Sequence, residues 1–342
     1  GLFLPRFICI IGINTMNKKV LIPFFFLITL SFLTSCRKKA MKMQSQYIFG
    51  TICSIDLFED GTEELYAGLF ERLNQIERKF SVNIADSELS FVNSNASEGP
   101  IVVSREFFDV LKFSVDFAEK SGGAFNPALG SIIGLWGIGT EHQRIPETQE
   151  IEEAKKHCDY RNIILNEADD ICSVMLADEK LRLDLGAIVK GYAADELVKL
   201  LKENGVTKAI INLGGNIYAF GSKSNNPDDK WNIGIKNPLK DDAEPIVVLE
   251  VNSTSVVTSG NYERFFIENG VRYHHIIDSK TGFPAETGLA SVTVINESST
   301  LCDAMATACF VAGIDAEFIK NEAGPGKIQL IFITQDGKIV KK

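Results

Sequence analysis

No Cys-x-x-Cys pair, no internal repeat and no low-complexity linker occurs in this chain, and beyond residue 39 there is no excess of positive charge. Apart from Cys9 and Cys36 the cysteines are Cys53, Cys158, Cys172, Cys302 and Cys309, an odd set without metal-ligand spacing. That argues against a zinc site or a paired disulfide framework and leaves buried thiols. Residues 1–39 hold six basic and no acidic side chains, so a net charge of −10 for the chain leaves −16 for the rest. An acidic body argues against a nucleic-acid surface. Any anionic ligand must then be met by a few local cations or by a metal. What is present is globular: 342 residues, 45% hydrophobic and 23% charged, enough for one large domain or two closely joined ones.

The N-terminus reads differently. From Met16 the order "MNKKVLIPFFFLITLSFLTSC" gives two lysines, a short apolar run, and Leu33-Thr34-Ser35-Cys36. This is the pattern of a secretory signal, and Leu-Thr-Ser-Cys resembles the bacterial lipobox, whose cysteine becomes a lipidated first residue. A single transmembrane anchor is the weaker alternative, because the run is short and closely terminated. Residues 1–35 are thus expected to be upstream sequence plus signal, with residues 1–15 ahead of the start methionine. A polar tether at 36–46 and a working domain at 47–342 are expected to follow.

Within that domain, "YIFGTICSIDLF" alternates like a strand, and "TEELYAGLFERLNQIERKF" has the apolar spacing of a helix. A second helix is expected at "SREFFDVLKFSVDFAEKSGG", with Ser104 as N-cap and Gly122-Gly123 as the stop. "AFNPALGSIIGLWGIG" reads as irregular, and a short helix is expected near "PETQEIEEAKKHC". Strands around Ile163–Leu165 and Val174–Leu176 precede "KLRLDLG", read as an apolar strand feeding a helix. "KAIINLGGNIYAFG" reads as two strands meeting at Gly214-Gly215, and the last third is mostly strands around the helix "LCDAMATACFVAG". The fold class is α+β, with intimately joined halves.

Four pieces carry chemistry. In "DLGAIVKG", Gly186-Ala187 leads into a helix whose free N–H groups, with Lys190, suit an anion; a plain packing turn is the alternative. "INLGGN" lets a ligand or a strand approach its glycines closely. The stretch from Thr258 to Ala285 gathers Ser259, Tyr262, Glu263, Arg264, Arg272, Asp278 and two of the chain's four histidines. His274 and His275 face opposite ways on a strand, so one can be buried while the other serves as a base; one core and one surface histidine is nearly as good a reading. Finally, Asp303 and Thr307 share a helix face at i, i+4 and offer oxygen ligands suited to Mg²⁺, unless they only cap and back-bond the helix.

Together, in this order, the pieces resemble the ApbE family, the FAD:protein FMN transferases of the bacterial envelope, from about Tyr47 to Lys342. The resemblance implies a T-fold-like α+β domain with an added subdomain, often lipid-anchored. It implies Mg²⁺-dependent cleavage of FAD, attachment of FMN through its phosphate to a threonine of an acceptor protein, and release of AMP. By family pattern the Ala187 carbonyl, Asp303 and Thr307 hold the metal, Asp184 contacts the adenine end, and Lys190 contacts the ligand. His275 matches the base that deprotonates the acceptor threonine, and Ile276 lines the FAD site. Ala124-Phe125-Asn126 borders the adenosine half, and Phe49 takes a place often held by methionine. Two departures stand out. Ala306 replaces a frequent second aspartate, and Asn83 stands where relatives usually place a tyrosine that stacks on the isoalloxazine. Weaker cover of the flavin implies that water also reaches the phosphorus, giving FAD hydrolysis. Cys36 would tether the protein to the periplasmic face of the inner membrane. The rival reading is a lipid-anchored flavin-binding or delivery protein without turnover.

Overall fold

The computed structural model describes residues 43–342, except 225, 227, 241–243 and 325–326. The expected signal segment, Cys36 and the expected tether as far as residue 42 lie outside the described residues. The chain opens with β1 (Gln44–Ile48), β2 (Thr51–Asp56), α1 (Glu63–Phe80), α2 (Glu88–Asn95), β3 (Ile101–Val103) and α3 (Arg105–Lys120). It continues through α4 (Gly130–Trp136), α5 (Thr148–Lys155), β4 (Ile163–Ala168), β5 (Ile171–Leu176), α6 (Val189–Glu203), β6 (Lys208–Leu213) and β7 (Asn216–Gly221). Then come β8 (Trp231–Lys236), β9 (Pro245–Val251), β10 (Thr254–Gly260), β11 (Phe265–Glu268) and β12 (Val271–His274). β13 (Leu289–Asn296), α7 (Ser299–Ala312), α8 (Glu317–Glu322), β14 (Gln329–Thr334) and β15 (Ile339–Lys341) complete it.

Eight strands form one antiparallel sheet in the order β1-β2-β6-β7-β10-β13-β14-β15. The two-residue side-chain period sets its faces. Val257, Val292, Val294, Leu330 and Phe332 join the main core with residues of α1, α6 and α7. Their neighbours Val256, Ile295, Ile331 and Ile333 pack with Trp231, Ile233 and Ile235 of the β8-β9 hairpin. β13 is buried along nearly its whole length because both faces are covered. A smaller sheet, β3-β5-β4, and a cluster of Ile132, Trp136, Ile151 and Ile277 complete the packing.

The strongest local signals hold. α1 is capped by Thr62 and buries Tyr66, Leu69, Phe70, Leu73, Ile76 and Phe80. α3 is capped by Ser104, and Gly122 and Gly123 follow its end with φ of 60° and 79°. Other readings change. The segment read as one strand from Tyr47 is a hairpin, and β1 starts at Gln44, inside the expected tether. Its two-residue turn puts Phe49 and Gly50 at φ 56° and 68°, as a primed turn requires. α4 arises in the segment read as irregular; Trp136 Nε1 donates to the Gly282 carbonyl at 2.8 Å, a tertiary contact that local composition does not show. Residues 181–185 join no sheet; Asn93 clamps the Leu183 backbone from both sides, at 2.6 and 3.0 Å. Among the described residues no helix is long and apolar enough to cross a membrane.

α6 and α7 meet at Gly191. A Cβ there would lie 2.3 Å from the Ser299 carbonyl oxygen and 2.8 Å from Asp303 Cβ. Glycine inside a helix costs about 1 kcal/mol relative to alanine, so close helix contact outweighs propensity at this position. Asp195 of α6 locks the same junction, accepting from Ser299 N at 2.8 Å and from Thr300 N at 2.9 Å. Gly191→Ala is expected to destabilise the fold by about 3 kcal/mol, an overpacking cost. Calorimetry should register a Tm drop of roughly 6 °C. An unchanged Tm would mean that the helices can part freely.

Candidate active site

Asp303 is 4% exposed. Its Oδ2 accepts the Gly191 N–H at 2.9 Å and lies 3.5 Å from Lys190 Nζ. Burial raises this carboxyl above the usual range, opposed by Lys190 and the Gly191 N–H. Lys190 also donates to the Gly186 carbonyl at 3.2 Å, so it bridges Asp303 and the turn that contains Ala187. One helical turn beyond Asp303, Thr307 Oγ1 lies 3.5 Å from Ser259 Oγ.

A second cation acts on the same groups. Arg264 Nη2 donates to the Phe49 carbonyl at 3.1 Å. Phe49 is held in turn by Glu77, whose Oε1 accepts its N–H at 2.6 Å. Asp184 takes the Gly186 N–H at 2.8 Å and feels both Arg264 and Lys190, yet desolvation still raises its carboxyl. It keeps some exposed surface.

The two histidines divide as their strand positions imply. His274 is buried; its Nδ1 accepts the Ile276 N–H at 3.3 Å, so its Nε2 carries the proton toward the Ala285 carbonyl at 3.2 Å. His275 is part-exposed, and its backbone N–H and Nδ1 both approach the Arg264 carbonyl, at 3.0 and 3.2 Å. A proton on Nδ1 satisfies that contact and leaves Nε2 with a free lone pair. Burial, then Arg264, push its pKa down to about 3, with Lys190 and His274 adding to the fall. The ring is neutral at ordinary pH.

Lys190 and Arg264 thus connect Asp184, His275 and Asp303; Phe49 is bonded to Arg264, Ala187 follows the Gly186 carbonyl that Lys190 meets, and Thr307 lies one turn beyond Asp303. Several of the N–H groups at the expected anion site are taken. α6 begins only at Val189, the Val189 N–H bonds Leu185, and Asp303 occupies the Gly191 N–H. Positive charge comes from Lys190 and Arg264 instead. The tight glycine of this segment is Gly191, needed for helix packing, whereas a Cβ on Gly186 would meet only Asp184 Oδ1, at 3.0 Å. Phe125 is a core residue, edge-on to Phe117, and Ile276 is likewise buried. The Asn126 amide is spent on the Cys158 carbonyl at 2.9 Å and the Ala128 N–H at 2.8 Å. Ala124 is half-buried beside them, and Pro127 ties the segment to the Asp184 N–H at 2.9 Å. Asn83 is exposed in the turn after α1, its N–H on Ser81 Oγ at 3.1 Å. Arg264 and Ser259 belong to the polar stretch from Thr258 to Ala285, where nothing local distinguishes them from their neighbours. A cavity of about 620 Å³ lined by Arg272, His274 and Glu286 shares none of these candidate residues.

Among the described residues no three His, Cys, Asp or Glu side chains group to hold a metal. One carboxylate, a hydroxyl and a backbone carbonyl fit a hard cation that shares its shell with substrate phosphates, not a transition-metal cage.

An antiparallel sheet backed by packed helices, with Lys190 beside a buried carboxylate and Arg264 beside a histidine, defines an α+β protein with a cationic candidate site. The ApbE family model matches residues 49–332, and the chain belongs to that family. It is 40% identical over 309 residues to the FAD:protein FMN transferase of Treponema pallidum, covering 86% of this chain and 85% of that protein. A Klebsiella pneumoniae protein of the same name is 36% identical, over 81% of this chain and 84% of its own length. The crystal structure of the ApbE protein of Thermotoga maritima superposes with TM-score 0.78 at 32% identity, over 88% of this chain and 96% of that one. The Vibrio cholerae flavin transferase ApbE gives 0.75 at 25% identity, with the same coverage.

Proposed function

We propose that this chain is an FAD:protein FMN transferase that works with Mg²⁺, attaches FMN through its phosphate to a threonine of an acceptor protein, and releases AMP. What supports the reading is a part-exposed histidine whose Nδ1 faces the Arg264 carbonyl and whose Nε2 is left free, under the influence of Arg264 and Lys190, with Asp303 beside Lys190. Lys190 and Arg264 meet the pyrophosphate charge. Asp303, Thr307 and the Ala187 carbonyl would hold Mg²⁺, which withdraws charge from the phosphoryl oxygens when bound. His275 Nε2 accepts the proton of the threonine hydroxyl. The hydroxyl oxygen bonds to the FMN phosphorus, the pyrophosphate P–O bond breaks, and AMP leaves with the electron pair. Binding a polyanion between the cations also offsets their depression of the His275 pKa, so its basicity rises when substrate is present. AMP release from FAD, with and without Mg²⁺, separates this reading from a flavin carrier without turnover; no release in either condition would leave the carrier.

Water in place of threonine gives FMN and AMP, and Asn83 favours that outcome because a small amide cannot replace the stacking surface of a tyrosine. Stacking on a base is worth about 1–3 kcal/mol in nucleic-acid sites, the nearest analogue. Asn83→Tyr is expected to tighten FAD binding, colour the purified protein yellow and slow multiple-turnover hydrolysis. Equal FAD affinity and equal AMP release in both proteins would place Asn83 outside the pocket.

We place the protein on the periplasmic face of the inner membrane, anchored through Cys36. Cys36→Ser should leave it soluble after fractionation with its FAD chemistry intact. Retention in the membrane pellet would point to an uncleaved span instead.

A further inference from the structure

Asn216 opens β7 at the Gly-Gly-Asn turn and is 2% exposed. Its Oδ1 accepts from Ser299 Oγ at 2.9 Å, while its buried Nδ2 has no hydrogen-bond partner. Asp303, one helical turn beyond Ser299 on α7, is the carboxylate beside this amide, which favours its ionised form. Next in line, Ser255 Oγ has one proton and two acceptors, Ser299 Oγ at 2.8 Å and the Ile217 carbonyl at 3.3 Å. Turning the amide over resolves both defects. Nδ2 then donates to Ser299, Ser299 to Ser255 and Ser255 to Ile217, so every proton has one acceptor. The turned amide aims Oδ1 at the Asp303 carboxylate, and two facing oxygens need a cation between them.

We propose that the Asn216 amide turns over when a divalent cation binds at Asp303, presenting Oδ1 to the cation directly or through one of its waters. The inference rests on the Mg²⁺ reading above and adds a residue of the sheet to ligands that otherwise come from α7 and the turn before α6. It also gives the Gly-Gly-Asn turn its chemistry: the glycines shape the strand end, and the asparagine serves the cation.

The test uses the full chain in detergent with saturating ADP as a pyrophosphate and Mn²⁺ as the probe, read by electron paramagnetic resonance. Asn216→Ala should weaken Mn²⁺ binding by about tenfold or more, the usual cost of losing a supporting partner. Asn216→Asp keeps an oxygen for Ser299 but adds a charge beside Asp303. Its Tm should fall in EDTA and recover in Mg²⁺, a larger Mg²⁺-induced shift than in the unmodified protein. Unchanged Mn²⁺ affinity in Asn216→Ala, or an unchanged Mg²⁺ shift in Asn216→Asp, overturns the proposal while leaving the Mg²⁺ reading intact. If the unmodified protein binds no Mn²⁺ in the presence of ADP, both fall. Should Asn216→Ala fail to fold, the Asn216→Asp shift decides.

Discussion

Asp303→Ala is expected to abolish Mg²⁺-dependent release of AMP from FAD while leaving a folded protein. The carboxylate is the sole acidic ligand proposed for the cation, so no neighbouring charge can replace it. The fold should survive because two effects oppose each other. Alanine frees the Gly191 N–H, an orphan costing about 1–3 kcal/mol, but it also removes a carboxylate that burial disfavours. Chromatography and calorimetry establish folding; AMP is then measured by liquid chromatography with and without Mg²⁺. Full release by a folded Asp303→Ala variant would sink the ligand assignment. Thr307→Val should be milder, since a neutral hydroxyl contributes less to holding a dication.

Removal of His275 should be felt in transfer more than in binding. His275→Ala is expected to lower FMN transfer to an acceptor by about 10²–10⁴-fold, the usual worth of a general base, with FAD affinity nearly kept. His274 gives the control: it is buried against Phe310 and hydrogen-bonded on both ring nitrogens, so its replacement should lower Tm first. A transfer defect in a well-folded His274 variant alongside normal transfer by His275→Ala would reverse the assignment. The pH dependence has a definite sign. Folding depresses the His275 pKa from 6.5 to about 3, so the unfolded chain binds the extra proton first. The neutral ring's contribution to stability is complete above pH 6.5 and is lost as pH falls toward 3. In Tm measured against pH, His275→Ala should flatten part of that acid limb.

What the sequence determined by itself is local. Thr62 and Ser104 cap their helices because a hydroxyl can reach an N–H three residues on, and the apolar stripe of α1 follows from helical geometry. The β6-β7 hairpin at Gly214-Gly215 is written in two glycines that adopt φ of 64° and 92°. Asp303 and Thr307 had to share a face once their segment was helical. The opposite facing of His274 and His275 followed from the pleat. Tertiary structure alone decided the rest. Arg264 reaches the Phe49 carbonyl across 215 residues, Lys190 finds Asp303 on another helix, and Gly191 is small because of a carbonyl on α7. The His275 tautomer is likewise fixed by a carbonyl eleven residues away, on the far side of a hairpin. Propensity, capping and periodicity act over one or two turns of chain, so residue order exposes them directly. Charge convergence and close helix contact exist only after the sheet has brought distant segments together, because burial of the shared apolar faces, rather than any local preference, sets which side chains meet.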